Sequence, residues 1–175
     1  MDYKIIIGFS KPKSKTAIFG NGIRAVLGTD FSHVYVKFKS DKFNRVLIYQ
    51  ASGFAVNFME ESRMLKDHAV VAEFELTVSE ATYVKTMQFA IDNAGVPYGI
   101  AQIFGILYVK ALALASIRAK NPFANGDSNF VCSELVGEIL KEIVGLEVDY
   151  DMDLITPKEI FELLKKYQIP EMARE

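Results

Sequence analysis

Residues 68–95 read "HAVVAEFELTVSEATYVKTMQFAIDNAG", and the period of the apolar residues changes in the middle of this stretch. Before Ser79, apolar residues alternate as they do in a strand with one buried face; they are Val70, Ala72, Phe74 and Leu76. After Ser79 they recur at helical spacing up to Gly95; they are Val84, Met87, Ile91 and Ala94. The stretch therefore predicts a strand followed by a helix that Ser79 caps.

The same patterns extend the prediction in both directions. Strands are predicted at 3–9, 31–39 and 45–52, and in the second of these Val34, Val36 and Phe38 share one face. A short helix at 16–28 is weakened by two glycines, and further helices are predicted at 131–144 and 153–167. Thr156, Pro157 and Glu159 fit a capping box at the start of the last helix. Strands that precede helices predict an α+β fold, a small antiparallel sheet packed by helices.

Composition excludes several classes of protein. The chain has 175 residues, half of them hydrophobic, and a net charge of −2. These values suit a single globular domain over 1–175 rather than a disordered chain. No basic block stands out, so we expect no nucleic-acid partner.

Cysteine and histidine are scarce. The one cysteine excludes an internal disulfide, and the two histidines lie far from it in the sequence, without zinc-ligand spacing. We therefore expect no metal and no cofactor. The N-terminus lacks the features of a signal peptide, so we expect a cytoplasmic, reducing location.

Cys132 stands in "FVCSELV" at 130–136, where a helical pattern begins. The positive end of a helix dipole lowers the pKa of a thiol, and the free backbone N–H groups there can bind an oxyanion. Cys132, Val136 and Ile139 are spaced at i, i+4 and i+7 and so share one face of the predicted helix. The sulfur is therefore expected to face the sheet. Taken alone, a lone cysteine at a helix start is more often a small buried residue than a nucleophile.

Three other residues carry chemistry that Cys132 could use. His33 begins an alternating strand and could act as a general base, although a lone histidine is more often a surface or core residue. His68 follows a charged turn and is interpreted as an exposed residue at the start of a strand. Tyr98, in "GVPYG" at 95–99, either places a phenol at the mouth of a cleft or belongs to an ordinary turn between helices.

An ordered set of motifs resembles the circularly permuted papain-like hydrolases of the NlpC-type superfamily, close to their YiiX-like and lecithin–retinol acyltransferase-like branches. The motifs are "GFS", "SKTAI", "IRAVLGTDFSHVYVKF", "VLIYQASG", "VPYG", "FVCSELV" and "LITP". The resemblance implies a permuted papain-like fold with Cys132 as nucleophile and His33 as its base. Within "YQA" it implies Gln50 as the residue that orients His33, or Tyr49 if the alignment is off by one. Relatives often carry an acid or a histidine there, and glutamine cannot stabilise an imidazolium by charge.

The resemblance also implies an activity. We expect a cysteine hydrolase (an amidase, peptidase or acyl hydrolase) or an acyltransferase that forms a thioester on Cys132. The backbone N–H of Cys132 and the Tyr98 hydroxyl would bind the oxyanion. The substrate would be a peptide, an isopeptide or an acyl lipid. The alternatives are a non-catalytic binding protein on the same fold, because Gln50 replaces the usual acid, and a membrane-surface or partner-binding protein that uses the apolar residues 100–117.

Residues 100–117 are almost entirely apolar. A membrane-spanning helix is not expected, because about 20 apolar residues are needed and Gln102 and Lys110 interrupt the run. A core helix is the ordinary interpretation. Since the apolar residues cover more than one face, we also expect part of the segment to be covered by a second copy of the chain, by a membrane surface or by an apolar ligand.

Overall fold

A single antiparallel sheet carries the fold. The computed structural model describes residues 3–14, 16–40, 44–114, 116–123 and 129–168. Its strands are β1 (Tyr3–Pro12), β2 (His33–Ser40), β3 (Arg45–Ser52), β4 (Ala55–Glu60) and β5 (His68–Val78). Their order across the sheet is β4-β3-β2-β1-β5, and every neighbouring pair is antiparallel.

Helices follow or interrupt the strands, which confirms the predicted α+β class. They are α1 (Ile18–Leu27), α2 (Glu61–Asp67), α3 (Glu80–Asp92), α4 (Ile100–Leu114), α5 (Cys132–Glu138) and α6 (Pro157–Gln168). Helix α5 continues as a π-helix over Ile139–Val144, and a short 3₁₀ turn covers Met152–Leu154.

The predicted helix caps are confirmed. The Ser79 hydroxyl accepts a hydrogen bond of 3.1 Å from the backbone N–H of Thr82 at the start of α3. At the start of α6, the backbone N–H of Thr156 donates to the Glu159 carboxylate at 2.8 Å, and the Glu159 N–H donates to the Thr156 hydroxyl at 3.4 Å. These side chains satisfy backbone donors that a helix leaves without partners.

The main core lies between one face of the sheet and helices α3, α5 and α6. Val34, Val36 and Phe38 are all buried there, as the alternation predicts. Leu135, Val136 and Ile139 from the helix that begins at Cys132 pack against them. Helix α2 covers part of the opposite face, where Met64 packs on Tyr35 and Ile48.

Two features of the sheet were not predicted. Strand β4 and helix α2 come between β3 and β5 in the sequence, in a segment whose apolar residues show no clear period. In addition, Val70 is exposed, so the prediction that it shares the core face with Phe74 is wrong. The pairing of β1 with β5 shifts there: Phe9 pairs with Ala72, but Ser10 pairs with Val70. This β-bulge leaves Val71 unpaired and turns the residues before it to the other face.

Helix α4 is half buried. Ile103 and Ile106 pack with Ile23 and Leu27 of α1 in a second apolar cluster, away from the sheet. A stripe of apolar side chains on the other side stays exposed: Ile100 (45%), Phe104 (55%) and Tyr108 (52%). Lys110 forms an ion pair of 2.6 Å with Glu159. The helix is therefore neither wholly core nor wholly surface, and Ala115 within the predicted segment lies outside the described residues.

Candidate functional site

A cavity of about 560 Å³ opens at the end of the sheet where β2 begins. Apolar side chains from α1, α2 and α4 form much of its wall; they include Ile23, Met64, Ile100 and Phe104. The polar groups that reach it include His33, Gln50 and Tyr98. An apolar cleft with a few convergent polar groups is typical of a binding or active site.

The His33 ring is held by Gln50. His33 Nε2 and Gln50 Oε1 lie 2.7 Å apart, and both side chains are buried. Since β2 pairs with β3 so that Val36 faces Tyr49, alternation places His33 and Gln50 on the same face of the sheet. Tyr49 points to the opposite face and packs in the main core. Gln50, rather than Tyr49, is therefore the side chain of β3 that contacts His33.

This hydrogen bond fixes the tautomer of His33. Gln50 Oε1 can only accept, so the proton lies on Nε2 and the lone pair lies on Nδ1. Burial has the largest effect and brings the pKa of His33 down to about 4; the Gln50 bond opposes it in part, and the neighbouring His68 adds a smaller lowering. The ring is therefore neutral at pH 7, with Nδ1 able to accept a proton.

Cys132 is the first residue of α5 and is 6% exposed. Its sulfur lies close to three backbone N–H groups, those of Val34, Ser133 and Cys132 itself, which lower the pKa of the thiol. Burial has the larger effect and raises the pKa above its ordinary value. The expectation that the helix terminus gives a low thiol pKa is therefore wrong, because the desolvation of a buried thiolate outweighs the helix N–H groups.

Cys132 and His33 approach the end of β2 from two sides. Cys132 belongs to the main core, beside Val34, whereas His33 lies on the cavity face. The Val34 amide beside the sulfur is the next residue along the chain from the histidine. Among the hydrogen bonds of the described residues, none joins Cys132 Sγ to the His33 ring. The catalytic pairing of the two stays a prediction.

Tyr98 lines one cavity together with His33 and another together with Cys132. Gly99 donates a backbone hydrogen bond of 2.9 Å to Phe130, and Phe130 donates one of 3.1 Å to Pro97, so this segment runs beside the chain that enters α5. Tyr98 lines the large cavity and also a small one, of about 30 Å³, that Cys132 lines. Burial, and then the nearby Cys132, raise the pKa of Tyr98, so its hydroxyl remains a hydrogen-bond donor.

Other polar residues reach the cavity, and sequence reasoning did not place them there. Arg63 and Asp67 come from α2, and His68 opens β5. The ring centroids of His68 and His33 are 5.9 Å apart. His68 is half-buried, which corrects its interpretation as an exposed residue at a strand start. The chain has only two histidines, and this scarcity was the one signal in the sequence that could have suggested that His33 and His68 lie close together.

Two findings concern metals and membranes. In the described part of the chain, no three or more histidine, cysteine, aspartate or glutamate side chains are grouped so that they could hold a metal ion. Across the same residues, no helix combines the length and the apolar character needed to cross a bilayer.

The five-stranded antiparallel sheet with helices on both faces, and a cavity at the start of β2, define an α+β fold. A similar solved structure is the crystal structure of the metalloprotein YiiX from Escherichia coli O157:H7. The sequences are 18% identical, the TM-score is 0.55, and the match covers 95% of this chain and 82% of YiiX. No protein-family model and no curated protein matches the chain. The likeness concerns the fold and supports the YiiX-like part of the predicted resemblance.

Proposed function

We propose that the protein is a thiol hydrolase or acyltransferase with a permuted papain-like arrangement of Cys132, His33 and Gln50. The observation that carries the proposal is the 2.7 Å bond between His33 Nε2 and Gln50 Oε1, which leaves Nδ1 unprotonated at the end of β2 where Cys132 begins α5. Nucleophilic catalysis needs a base of fixed tautomer close to the thiol, which is the role that the proposal gives to His33.

The reaction proceeds by general-base catalysis from a neutral pair. Burial keeps the thiol protonated and His33 neutral at pH 7, so the proton leaves only as the sulfur attacks. Nδ1 of His33 takes the thiol proton while Cys132 Sγ bonds to the carbonyl carbon, and His33 then returns that proton to the leaving group. The product is a thioester on Cys132. Water or another acceptor cleaves it and restores the thiol.

The oxyanion is bound by the backbone N–H of Cys132 and the hydroxyl of Tyr98. The raised pKa of Tyr98 keeps that hydroxyl protonated, and a buried hydrogen-bond donor stabilises developing negative charge more than one in water does. The reaction requires a reduced thiol, which fits a reducing compartment.

The substrate is an ester or amide with an apolar acyl group. The side chains of Ile23, Met64, Ile100 and Phe104 favour an acyl lipid over a polar peptide or isopeptide. The exposed stripe on α4 reaches this cavity through Ile100 and Phe104, so a membrane surface or a second copy of the chain would bind beside its mouth.

The test is to trap the thioester. The protein is mixed with p-nitrophenyl butyrate, p-nitrophenyl acetate and a peptide p-nitroanilide, and its intact mass is measured after rapid acid quenching. We expect an adduct of one acyl group on Cys132, none on Cys132→Ala, and slower formation with His33→Ala. Absence of an adduct with every substrate would refute the proposal.

A non-catalytic binding protein is the second candidate. It is favoured by the 6% exposure of Cys132 and by the raised pKa of its thiol, which are typical of a structural cysteine. For that candidate, Cys132→Ala would leave the binding of an apolar ligand in the cavity unchanged while no adduct formed on the wild-type protein.

A further inference from the structure

His68 is the second imidazole of the cavity. Its ring lies with its centroid 5.9 Å from that of His33, at an interplanar angle of 63°, and both rings line the same cavity wall. Gln50 approaches His33 from β3, whereas His68 comes from β5, beyond β1 on the other side of β2. His33 therefore has a fixed orienting group on one side and a second titratable ring on the other.

The β-bulge in β5 directs His68 to this place. Phe74 and Ala72 lie on the core side of the sheet, and uninterrupted alternation would turn Val70 and His68 to that side as well. Because Ser10 pairs with Val70 after Phe9 has paired with Ala72, Val70 and His68 face the cavity side instead. Bulges beside active sites commonly redirect a side chain in this way.

Ser10 holds the His68 ring without fixing its tautomer. The Ser10 hydroxyl is fully buried and lies 3.3 Å from His68 Nδ1. A hydroxyl can donate to Nδ1 or accept from it, so both neutral tautomers keep this bond. Nε2 has no hydrogen-bond partner among the described residues and can present either a proton or a lone pair. Gln50, by contrast, permits only one tautomer of His33.

Burial, rather than the charges around it, keeps the His68 ring mostly neutral at pH 7. Burial lowers its pKa and has the largest effect, while the adjacent Asp67 raises it to a smaller extent. Arg63, one turn before Asp67 on α2, also faces the cavity, and His33 lies across from the ring. A neutral imidazole that can change tautomer suits hydrogen bonding to a protic molecule better than it suits binding a fixed charge.

We infer that His68 binds and orients the molecule that accepts the acyl group from Cys132. This inference rests on the proposed function and extends it to the second half-reaction. The acceptor gives its proton to His33 Nδ1 as its oxygen or nitrogen bonds to the thioester carbon. The carbon–sulfur bond then breaks, and the thiolate of Cys132 takes the proton back from His33.

Because both neutral tautomers of His68 are permitted, the kinds of acceptor that its Nε2 can bind can be stated. Water and primary amines keep a second O–H or N–H bond during the attack, and that group donates a hydrogen bond to the lone pair of His68 Nε2. An alcohol has no second proton, and Nε2–H then donates to its oxygen. His68 can therefore bind both hydroxyl and amine acceptors. Its hydrogen bond to each kind of acceptor affects the ratio of acyl transfer to hydrolysis.

Two amide variants separate the nitrogens of the ring. In His68→Asn the side-chain amide takes the place of Nδ1. This variant keeps the bond to Ser10 but has no group at the position of Nε2 in the cavity. In His68→Gln the amide reaches the place of Nε2. With p-nitrophenyl butyrate, the burst of p-nitrophenol reports acylation and the later steady rate reports deacylation, measured with and without added glycerol or hydroxylamine.

We expect His68→Asn to keep the burst and to slow deacylation about tenfold, the loss that one hydrogen bond in the transition state produces. His68→Gln should recover much of the rate, and its ratio of transfer to hydrolysis should change. Val70→Thr, an exposed position on the same strand, is the control and should behave as wild type. Ser10→Ala, which frees the ring without removing it, should slow deacylation to a smaller extent.

Each outcome decides the inference. Deacylation and product ratio that are unchanged in both His68 variants would overturn it while leaving the proposed function intact. An equal fall of burst and deacylation would also overturn it, since His68 would then act only through His33 or the fold. Absence of any burst in the wild-type protein would remove the proposed function, and this inference with it. If His68→Asn does not fold, Ser10→Ala and His68→Gln decide the same question.

Discussion

Two buried ionisable groups near the site should affect stability in opposite directions as pH changes. Glu134, in the first turn of α5, is buried, and its burial raises its pKa from an ordinary 4.5 to about 7. Burial of His33 lowers its pKa from 6.5 to about 4. Each group is therefore neutral in the folded protein over a range in which it is charged in the unfolded chain.

The signs follow from proton linkage. Between pH 4 and 6.5 the unfolded chain binds a proton at His33 that the folded protein does not, so the free energy of unfolding rises with pH. Between pH 4.5 and 7 the folded protein keeps a proton on Glu134 that the unfolded chain has lost, so the free energy of unfolding falls with pH. Each slope is about 1.4 kcal/mol per pH unit, and the two oppose one another.

Replacing Glu134 with Gln removes one slope and leaves the other. The glutamine keeps an acceptor for the Gln102 side chain, at 3.0 Å, and for the Val131 N–H, at 3.4 Å. From pH 4.5 to 7 the variant should gain roughly 3 kcal/mol relative to wild type; the full slope of about 1.4 kcal/mol over 2.5 pH units would give about 3.5 kcal/mol, and the slope is smaller close to each pKa. Titration of His68 affects both proteins equally and does not enter the difference.

The assay is urea unfolding of both proteins at several pH values from 4.5 to 7. Glu147→Gln, which makes the same chemical change at an exposed position, is the control and should run parallel to wild type. Curves for Glu134→Gln and wild type that stay parallel within about 0.5 kcal/mol would refute the argument, because Glu134 would then titrate alike in the folded and unfolded chains.

Three further outcomes are expected. Gln50→Glu should raise the pKa of His33 by about 1–3 pH units in an NMR titration, because a carboxylate would stand where Gln50 Oε1 lies 2.7 Å from the ring, and Gln88→Glu on exposed α3 should not. Alkylation of Cys132 by iodoacetamide, followed by mass, should be slow at pH 6 and still accelerating at pH 9.0; a plateau by neutral pH would contradict the raised thiol pKa. Phe104→Ser should weaken binding to lipid vesicles in a flotation assay without loss of thermal stability, and equal binding would exclude the α4 stripe as the contact.

Local patterns in the sequence were sufficient for much of the fold. The change of period at Ser79 marks the boundary between β5 and α3, and the capping residues Ser79 and Thr156 make the predicted bonds. Alternation in β2 separates the core face from the face that carries His33. These predictions succeed because each depends on residues that lie within a few positions of one another.

The remaining features depend on distant partners. The bulge in β5 is defined by its pairing with β1, so alternation alone puts His68 on the wrong face. The raised pKa of Cys132 depends on how deeply the sheet and helices bury it, which the start of a helix does not reveal. Gln50 could be named from a resemblance, but its bond to His33 requires the register of β3 against β2.

The order of strands also bears on how the protein folds and opens. Strands β2, β3 and β4 are neighbours in both sequence and space, so they can form by closing short loops. Pairing of β1 with β5 joins Phe9 to Ala72 and must close a far longer stretch of chain. His33 and Gln50 therefore meet early, while His68 arrives with an edge strand that pairs late. Local detachment of β5 would remove the His68 ring from the cavity and leave His33 in place. The site would then lose the proposed binding of the acceptor before the core unfolds.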